Sequence, residues 1–169
     1  MKIYYNLWDK IIDRNNIIQA HYNARRDKSY YKEVQEVNSN LDFYVDKIHD
    51  ELKNHTYTIT PSDYTSEIIN DKGKERQLDK LPYITHRIIQ HAINQVLVPI
   101  FMQTFCYHTC ASLKNRWLHH AYSLVTKYLK DVNWTQYCLK IDIKKFYPSI
   151  DHQILKDLLR KKIRILKMN

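Results

Sequence analysis

The residues best suited to chemistry lie in Tyr137-Cys-Leu-Lys-Ile-Asp142-Ile-Lys-Lys-Phe-Tyr147-Pro-Ser-Ile-Asp151. Tyr137, Leu139 and Ile141 alternate with Cys138, Lys140 and Asp142, the period of a strand. The expected strand ends in a carboxylate, which is costly to bury unless it is paired or bound to a metal. That makes Asp142 the most informative residue of the sequence. Phe146-Tyr147-Pro148-Ser149 then turns the chain, and Pro148 and Ser149 suit a helix start with a hydroxyl cap. Asp151 reads as a helix N-terminal charge rather than a ligand.

Several elements must hold this stretch in place. Residues 4 to about 27 read as one helix, weakened in the middle by Asn15-Asn16 and ended by the charged break Arg25-Arg26-Asp27-Lys28. That cluster reads as a solvated helix end, with a grip on a phosphate backbone as the alternative. Leu41, Tyr44, Val45, Ile48 and Leu52 give a clear helix over 41–53, with Asn40 or Asn38 as candidate caps. A β-rich zone follows: Tyr57–Thr60 up to Pro61, then a hairpin over 64–80. Its turn, Asn70-Asp71-Lys72-Gly73, holds the chain's one glycine where φ > 0 is needed. The hairpin carries Lys72, Lys74 and Arg76, which suit either reaching over a triphosphate or protecting a solvated edge.

From about Ile84 a long apolar helix is expected, interrupted or restarted by Pro99. Arg87 and His91 need partners there, and a packed, hydrogen-bonded His91 is the preferred reading over a catalytic one. Residues 106–116 show no period. Leu118, Ala121, Tyr122, Val125, Tyr128 and Leu129 give a last amphipathic helix before the loop 131–134. After Ser149 the chain is helical and basic.

The chain has 169 residues, about one domain's length, and 44% hydrophobic residues, enough for a core. Its net charge of +9 favours an acidic partner, with nucleic acid the default and a merely basic surface the alternative. Fourteen Tyr against four Phe add stacking surfaces suited to bases. No apolar run approaches a membrane span, and the N-terminus lacks a signal-peptide core, so no membrane partner and a cytoplasmic setting are expected. Cys106, Cys110 and Cys138 form no regular disulfide framework. Cys106-x-His108-x-Cys110, with His119 and His120, matches no established zinc spacing, so the Cys read as small packing residues.

Lys140-Ile-Asp142-Ile-Lys-Lys-Phe-Tyr147-Pro-Ser-Ile-Asp-His152 resembles the first catalytic motif of reverse transcriptases, above all the bacterial branch related to group II introns, retrons and diversity-generating retroelements. Lys74-Glu-Arg76-Gln-Leu-x-x-Leu-Pro82-Tyr-x-x-His-Arg87-Ile-Ile-Gln-His91-Ala92 resembles the fingers segment of the same enzymes. Val98-Pro-Ile-Phe101…Phe105 with Thr109-Cys-Ala-Ser-Leu-Lys-Asn-Arg116-Trp-Leu-His119-His-Ala121 resembles the next block. Order and spacing fit over residues 74–152. His86 departs from the Asp that often precedes the helix Arg. Asn115 and Trp117 replace the Gly that often flank the later Arg, removing the backbone freedom expected there.

The resemblance implies an α+β right-hand polymerase, present as fingers with the start of the palm. It divides the chain into an N-terminal helical region (1–56), a fingers-like region (57–135, hairpin 64–80, helices 84–130) and the start of the palm (136–169, the Asp142 strand and a basic helix). It implies Mg²⁺ at Asp142 and the Ile143 carbonyl, and dNTP contacts at Lys74, Arg76, Lys145, Phe146 and Tyr147, with the Tyr147 ring as the sugar gate. Arg87, Lys114 and Arg116 would contact an RNA template and DNA primer. Two metals need a second carboxylate pair, a Tyr-x-Asp-Asp-like turn. Among the 27 residues after Asp142 no Asp-Asp occurs. The expectation is an incomplete domain, inactive alone: a truncated or frameshifted product, or half of a split enzyme whose second chain supplies the rest of palm and thumb. A non-catalytic basic RNA-binding protein built from the fingers is the alternative.

Overall fold

The computed structural model describes residues 3–111, 113 and 115–163. Residues 4–100 and 101–163 form two separate units, the division falling in the last turn of a helix. Among the described residues the chain is α+β, with seven α-helices and one two-stranded antiparallel sheet.

The first unit opens with α1 (Leu7–Ile12) and α2 (Arg14–Ala24). The single helix expected over 4–27 is thus two. The cause is Asp13, whose carboxylate accepts hydrogen bonds from the Asn15 and Asn16 N–H groups at 2.9 and 3.1 Å. An Asp that satisfies the first free N–H groups begins a helix rather than continuing one. Helix α3 (Lys32–Ser39) was not legible as an element. It buries Val34 and Val37 only, so its apolar stripe is two residues wide. Helix α4 (Leu41–Lys53) matches its expected span and buries Tyr44, Val45, Ile48 and Leu52. Neither asparagine caps it. The Asn40 amide donates back to the Glu36 carbonyl, and Asn38 serves another network.

The expected strand over Tyr57–Thr60 does not form. Thr60 instead begins a short 3₁₀ turn, Pro61–Asp63, with the Asp63 carboxylate accepting from the Thr60 N–H. Strands β1 (Thr65–Asp71) and β2 (Lys74–Lys80) make the hairpin, pairing Asp71 with Lys74 and Thr65 with Lys80. Its two-residue loop places Lys72 at φ 54° and Gly73 at φ 82°. Two consecutive positive φ values give the turn whose twist matches paired strands. The Gly73 N–H donates to the Asn70 side chain at 2.8 Å.

Helix α5 (Ile88–Met102) starts four residues later than its apolar pattern suggests. Ile84 is extended, and Thr85 sits at φ 67°, ψ −64°, the strained centre of a γ-turn. Pro99 neither interrupts nor restarts the helix, which runs through it to Met102. It sits in the last turn, so the helix forfeits few bonds beyond it. The core gathers Ile17, Ala20 and Ala24 of α2, Val34 and Val37 of α3, Val45 and Ile48 of α4, and Ile88, Ile89 and Ala92 of α5. Polar ties reinforce it: the Asn16 amide donates to the Ala92 carbonyl at 3.1 Å, and the Asn23 amide to Gln95 at 2.6 Å.

The second unit contains α6 (Leu118–Leu129) and α7 (His152–Arg160). Helix α6 has its expected span, yet none of its residues is buried. Helix α7 is capped by Asp151, which accepts from Gln153 and Ile154 N–H groups at 2.8 and 3.0 Å. Asp151 is therefore a helix N-terminal charge, as expected, and takes the capping role assigned to Ser149. The Ser149 hydroxyl donates to the Phe146 carbonyl instead. These N–H bonds hold the Asp151 carboxyl below the usual range.

Candidate functional site

The expected palm strand over 137–142 is not a strand. Among the described residues the only sheet is β1–β2, and residues 137–143 make no ladder. Alternation describes a strand's two faces, but a strand exists only where another supplies its hydrogen bonds. Tyr137 is 93% exposed, and Leu139, Ile141 and Ile143 are exposed with it.

Asp142 is exposed on this unpaired segment. Among the described residues no ion pair or hydrogen bond engages its carboxylate. The desolvation cost argued from a buried strand end does not apply here. What remains is an exposed carboxylate with both oxygens open to solvent. No group of three or more His, Cys, Asp or Glu converges among the described residues. Asp142 therefore offers one carboxylate, and the Ile143 carbonyl belongs to the same exposed segment.

The turn after Asp142 has defined geometry. Lys145 adopts φ 52°, a left-handed conformation unusual for a lysine. It reverses the chain so that the Ser149 N–H reaches the Lys145 carbonyl at 3.0 Å. A 3₁₀ turn over Tyr147–Ser149 follows. The Phe146 and Tyr147 rings meet edge to face at 5.2 Å, and Tyr147 is 81% exposed. Core packing therefore does not account for Tyr147; its ring is presented to solvent.

The remaining candidates divide between the units. In the first, Lys74 and Arg76 lie on β2, both exposed. The Arg76 guanidinium pairs with Asp71 at 3.0 Å, next to the hairpin turn, while Lys74 has no ion-pair partner among the described residues. Arg87 donates to Gln90 at 2.8 Å. In the second unit Arg116 donates to the Cys106 carbonyl at 3.1 Å and lies 5.7 Å from the Tyr107 ring centre. Asn115 takes φ 65°, so the left-handed freedom expected to be lost with glycine is kept by asparagine. Lys114 lies outside the described residues.

Two features went unread in the sequence. The first is a network around His21, which is buried. Its Nε2–H donates to Asn38 at 2.8 Å, leaving Nδ1 to accept from the Tyr83 hydroxyl at 2.9 Å. Arg25 donates to the same Asn38 oxygen at 2.7 Å, so this member of the basic cluster is a structural tie. Burial holds the His21 imidazole below its usual pKa and pushes Tyr83 up to about 12. The signal was present: His21 falls on the stripe of Ile17, Ala20 and Ala24.

The second is an open cleft of about 580 Å³ lined by Lys47, Glu51, Tyr57, Asp63, Thr85 and His86, among others. His86 Nδ1 lies 2.9 Å from the Tyr57 hydroxyl. His86 thus faces a tyrosine. His91 lies on the half-buried side of α5, and its pKa is lowered by burial and by the charges of Arg87 and Lys28. Among the described residues no helix is long and apolar enough to cross a membrane. No family model matches the chain, and no curated protein matches it significantly.

Proposed function

We propose that this chain supplies the fingers and the first metal-binding motif of an RNA-directed DNA polymerase of the bacterial reverse-transcriptase kind. The observation that carries the reading is the Asp142–Tyr147 stretch. A free carboxylate at Asp142 and a solvent-presented ring at Tyr147 stand five residues apart on either side of the left-handed Lys145, in chain order after a basic hairpin and Arg87.

In this reading Asp142 and the Ile143 carbonyl hold Mg²⁺, which when bound neutralises charge in phosphoryl transfer to a primer 3′-hydroxyl. The free Asp142 oxygens fit that ion. Lys74 and Arg76 grip the dNTP triphosphate, where a guanidinium fork matches phosphate geometry. To do so Arg76 exchanges its Asp71 partner for phosphate. By the same resemblance the N–H groups near Lys145 and Phe146 would contact a triphosphate, and the Tyr147 ring would lie under the sugar. Arg87, Lys114 and Arg116 contact the template–primer backbone. One carboxylate does not hold two ions, so the activity requires further carboxylates of the Tyr-x-Asp-Asp kind beyond residues 1–169.

The test is binding of a labelled RNA–DNA template–primer as salt is raised. The expected result is an affinity that falls steeply with salt, since each neutralised phosphate releases counterions. Lys74→Glu with Arg76→Glu weakens binding of dNTP to that complex, and Asp142→Asn removes its Mg²⁺ dependence. Absence of salt-sensitive binding overturns the reading. Binding of single-stranded RNA that ignores dNTP, Mg²⁺ and these substitutions favours the non-catalytic RNA-binding alternative. Primer extension on poly(rA) by residues 1–169 alone, lost on Asp142→Ala, contradicts the need for further carboxylates.

A further inference from the structure

We propose that Cys106 is a peroxide-reactive thiol, with His108 as its proton acceptor and Cys110 as the thiol that resolves it to a disulfide. Cys106-Tyr107-His108-Thr109 folds as one turn, closed by the Thr109 N–H on the Cys106 carbonyl at 2.9 Å, and Cys110 follows directly. His108 organises both sulfurs. Its Nδ1 lies 3.6 Å from the Cys106 Sγ, and its main-chain carbonyl accepts from the Cys110 thiol at 3.2 Å.

The ring is oriented from behind by Tyr128 of α6, whose hydroxyl is 2.6 Å from Nε2. With Nδ1 accepting the Cys106 proton, Nε2–H donates to the Tyr128 oxygen, the arrangement of nucleophile, base and orienting group that activates thiols. Arg116 donates to the Cys106 carbonyl at 3.1 Å and so fixes the backbone that carries the thiol. Cys106 is exposed, so an oxidant reaches it. Cys138 is exposed too, but no base is hydrogen-bonded to it among the described residues. It is an internal control.

The Cys106 thiolate attacks one oxygen of a hydroperoxide. The S–O bond forms, the O–O bond breaks, and the departing alkoxide or hydroxide takes the proton held by His108. Cys106 is now a sulfenic acid. The Cys110 sulfur attacks it, the S–S bond forms, and the hydroxyl leaves as water with the Cys110 proton. Two thiols and one hydroperoxide thus give one disulfide, one water and one alcohol, or a second water from hydrogen peroxide.

The experiment treats the chain with hydrogen peroxide, quenches, and maps the thiols by mass spectrometry. The expected result is a Cys106–Cys110 disulfide formed while Cys138 stays alkylatable. Cys110→Ser stops the reaction at a Cys106 sulfenic acid trapped by dimedone. His108→Ala slows Cys106 oxidation roughly tenfold, because the proton acceptor beside the sulfur is gone. Where His108→Ala costs helical signal, the unaltered chain decides alone, through the ratio of Cys106 to Cys138 alkylation rates in buffer and in urea. A ratio above one in buffer that collapses in urea supports the proposal. Equal rates in both, or a dominant Cys138 product, overturn it.

Discussion

The two units use similar amounts of apolar sequence in opposite ways. Residues 4–100 put Ile17, Val34, Val45, Ile48 and Ile88 into a closed core. Residues 101–163 leave Leu118, Tyr122, Val125, Trp134, Leu139 and Leu158 exposed. Both contain amphipathic helices with clear periods, so amphipathicity marks a face that wants a partner and does not supply one. In the first unit four helices cover one another. In the second, α6 has no buried residue, and the Asp142 segment has no neighbouring strand. The Asp142 segment lies in the unit that leaves these apolar residues exposed.

The contrast is sharpest in truncation of equivalent helix positions. Ile48→Ala, in the core, is expected to cost about 2–5 kcal/mol of unfolding free energy by transfer loss and cavity formation. Val125→Ala, on α6, is expected to change it by less than about 0.5 kcal/mol. Urea melts of the two variants check this, and equal losses would break the comparison.

A smaller effect is expected at the α1–α2 joint. Asp13→Ala removes the cap that splits the helix and should cost about 1 kcal/mol. The same melts measure it, and an unchanged midpoint would show that the cap is dispensable.

The smallest expected effect is with pH, and it belongs to the first unit. His21 and His91 both have folded pKa values below their ordinary 6.5, chiefly through burial. The unfolded chain therefore takes up protons first as pH falls. The stability contributed by these neutral rings is complete above the unfolded pKa and is lost as pH drops through the folded values. Urea midpoints at about pH 7.5 and about pH 5.5 should fall in that order. A midpoint that rises on acidification contradicts the sign.

What was legible in the sequence follows the same divide between local and non-local causes. The span of α4, the hairpin and its glycine turn, and the span of α6 are set by residues within each element, so their patterns suffice. The two-helix start was missed because a single Asp13 side chain decides it. Helix α3 was missed because only Val34 and Val37 mark its face. Tyr57–Thr60 and 137–142 have β-type sequences but no ladder, since pairing depends on distant chain. The γ-turn at Thr85 leaves no residue signature. At the candidate site, residue types and spacing were readable, whereas the exposure of Asp142 and Tyr147 was not, because burial is a property of what surrounds them.

Amide hydrogen exchange, resolved by residue on the monomeric chain, tests this account most directly. It predicts slow exchange at the buried core of α2 and α4, around residues 17–24 and 45–52, and fast exchange at 137–143. Strong protection at 137–142 in a monomer would contradict it, because the segment bearing Asp142 would then already have its partner strand.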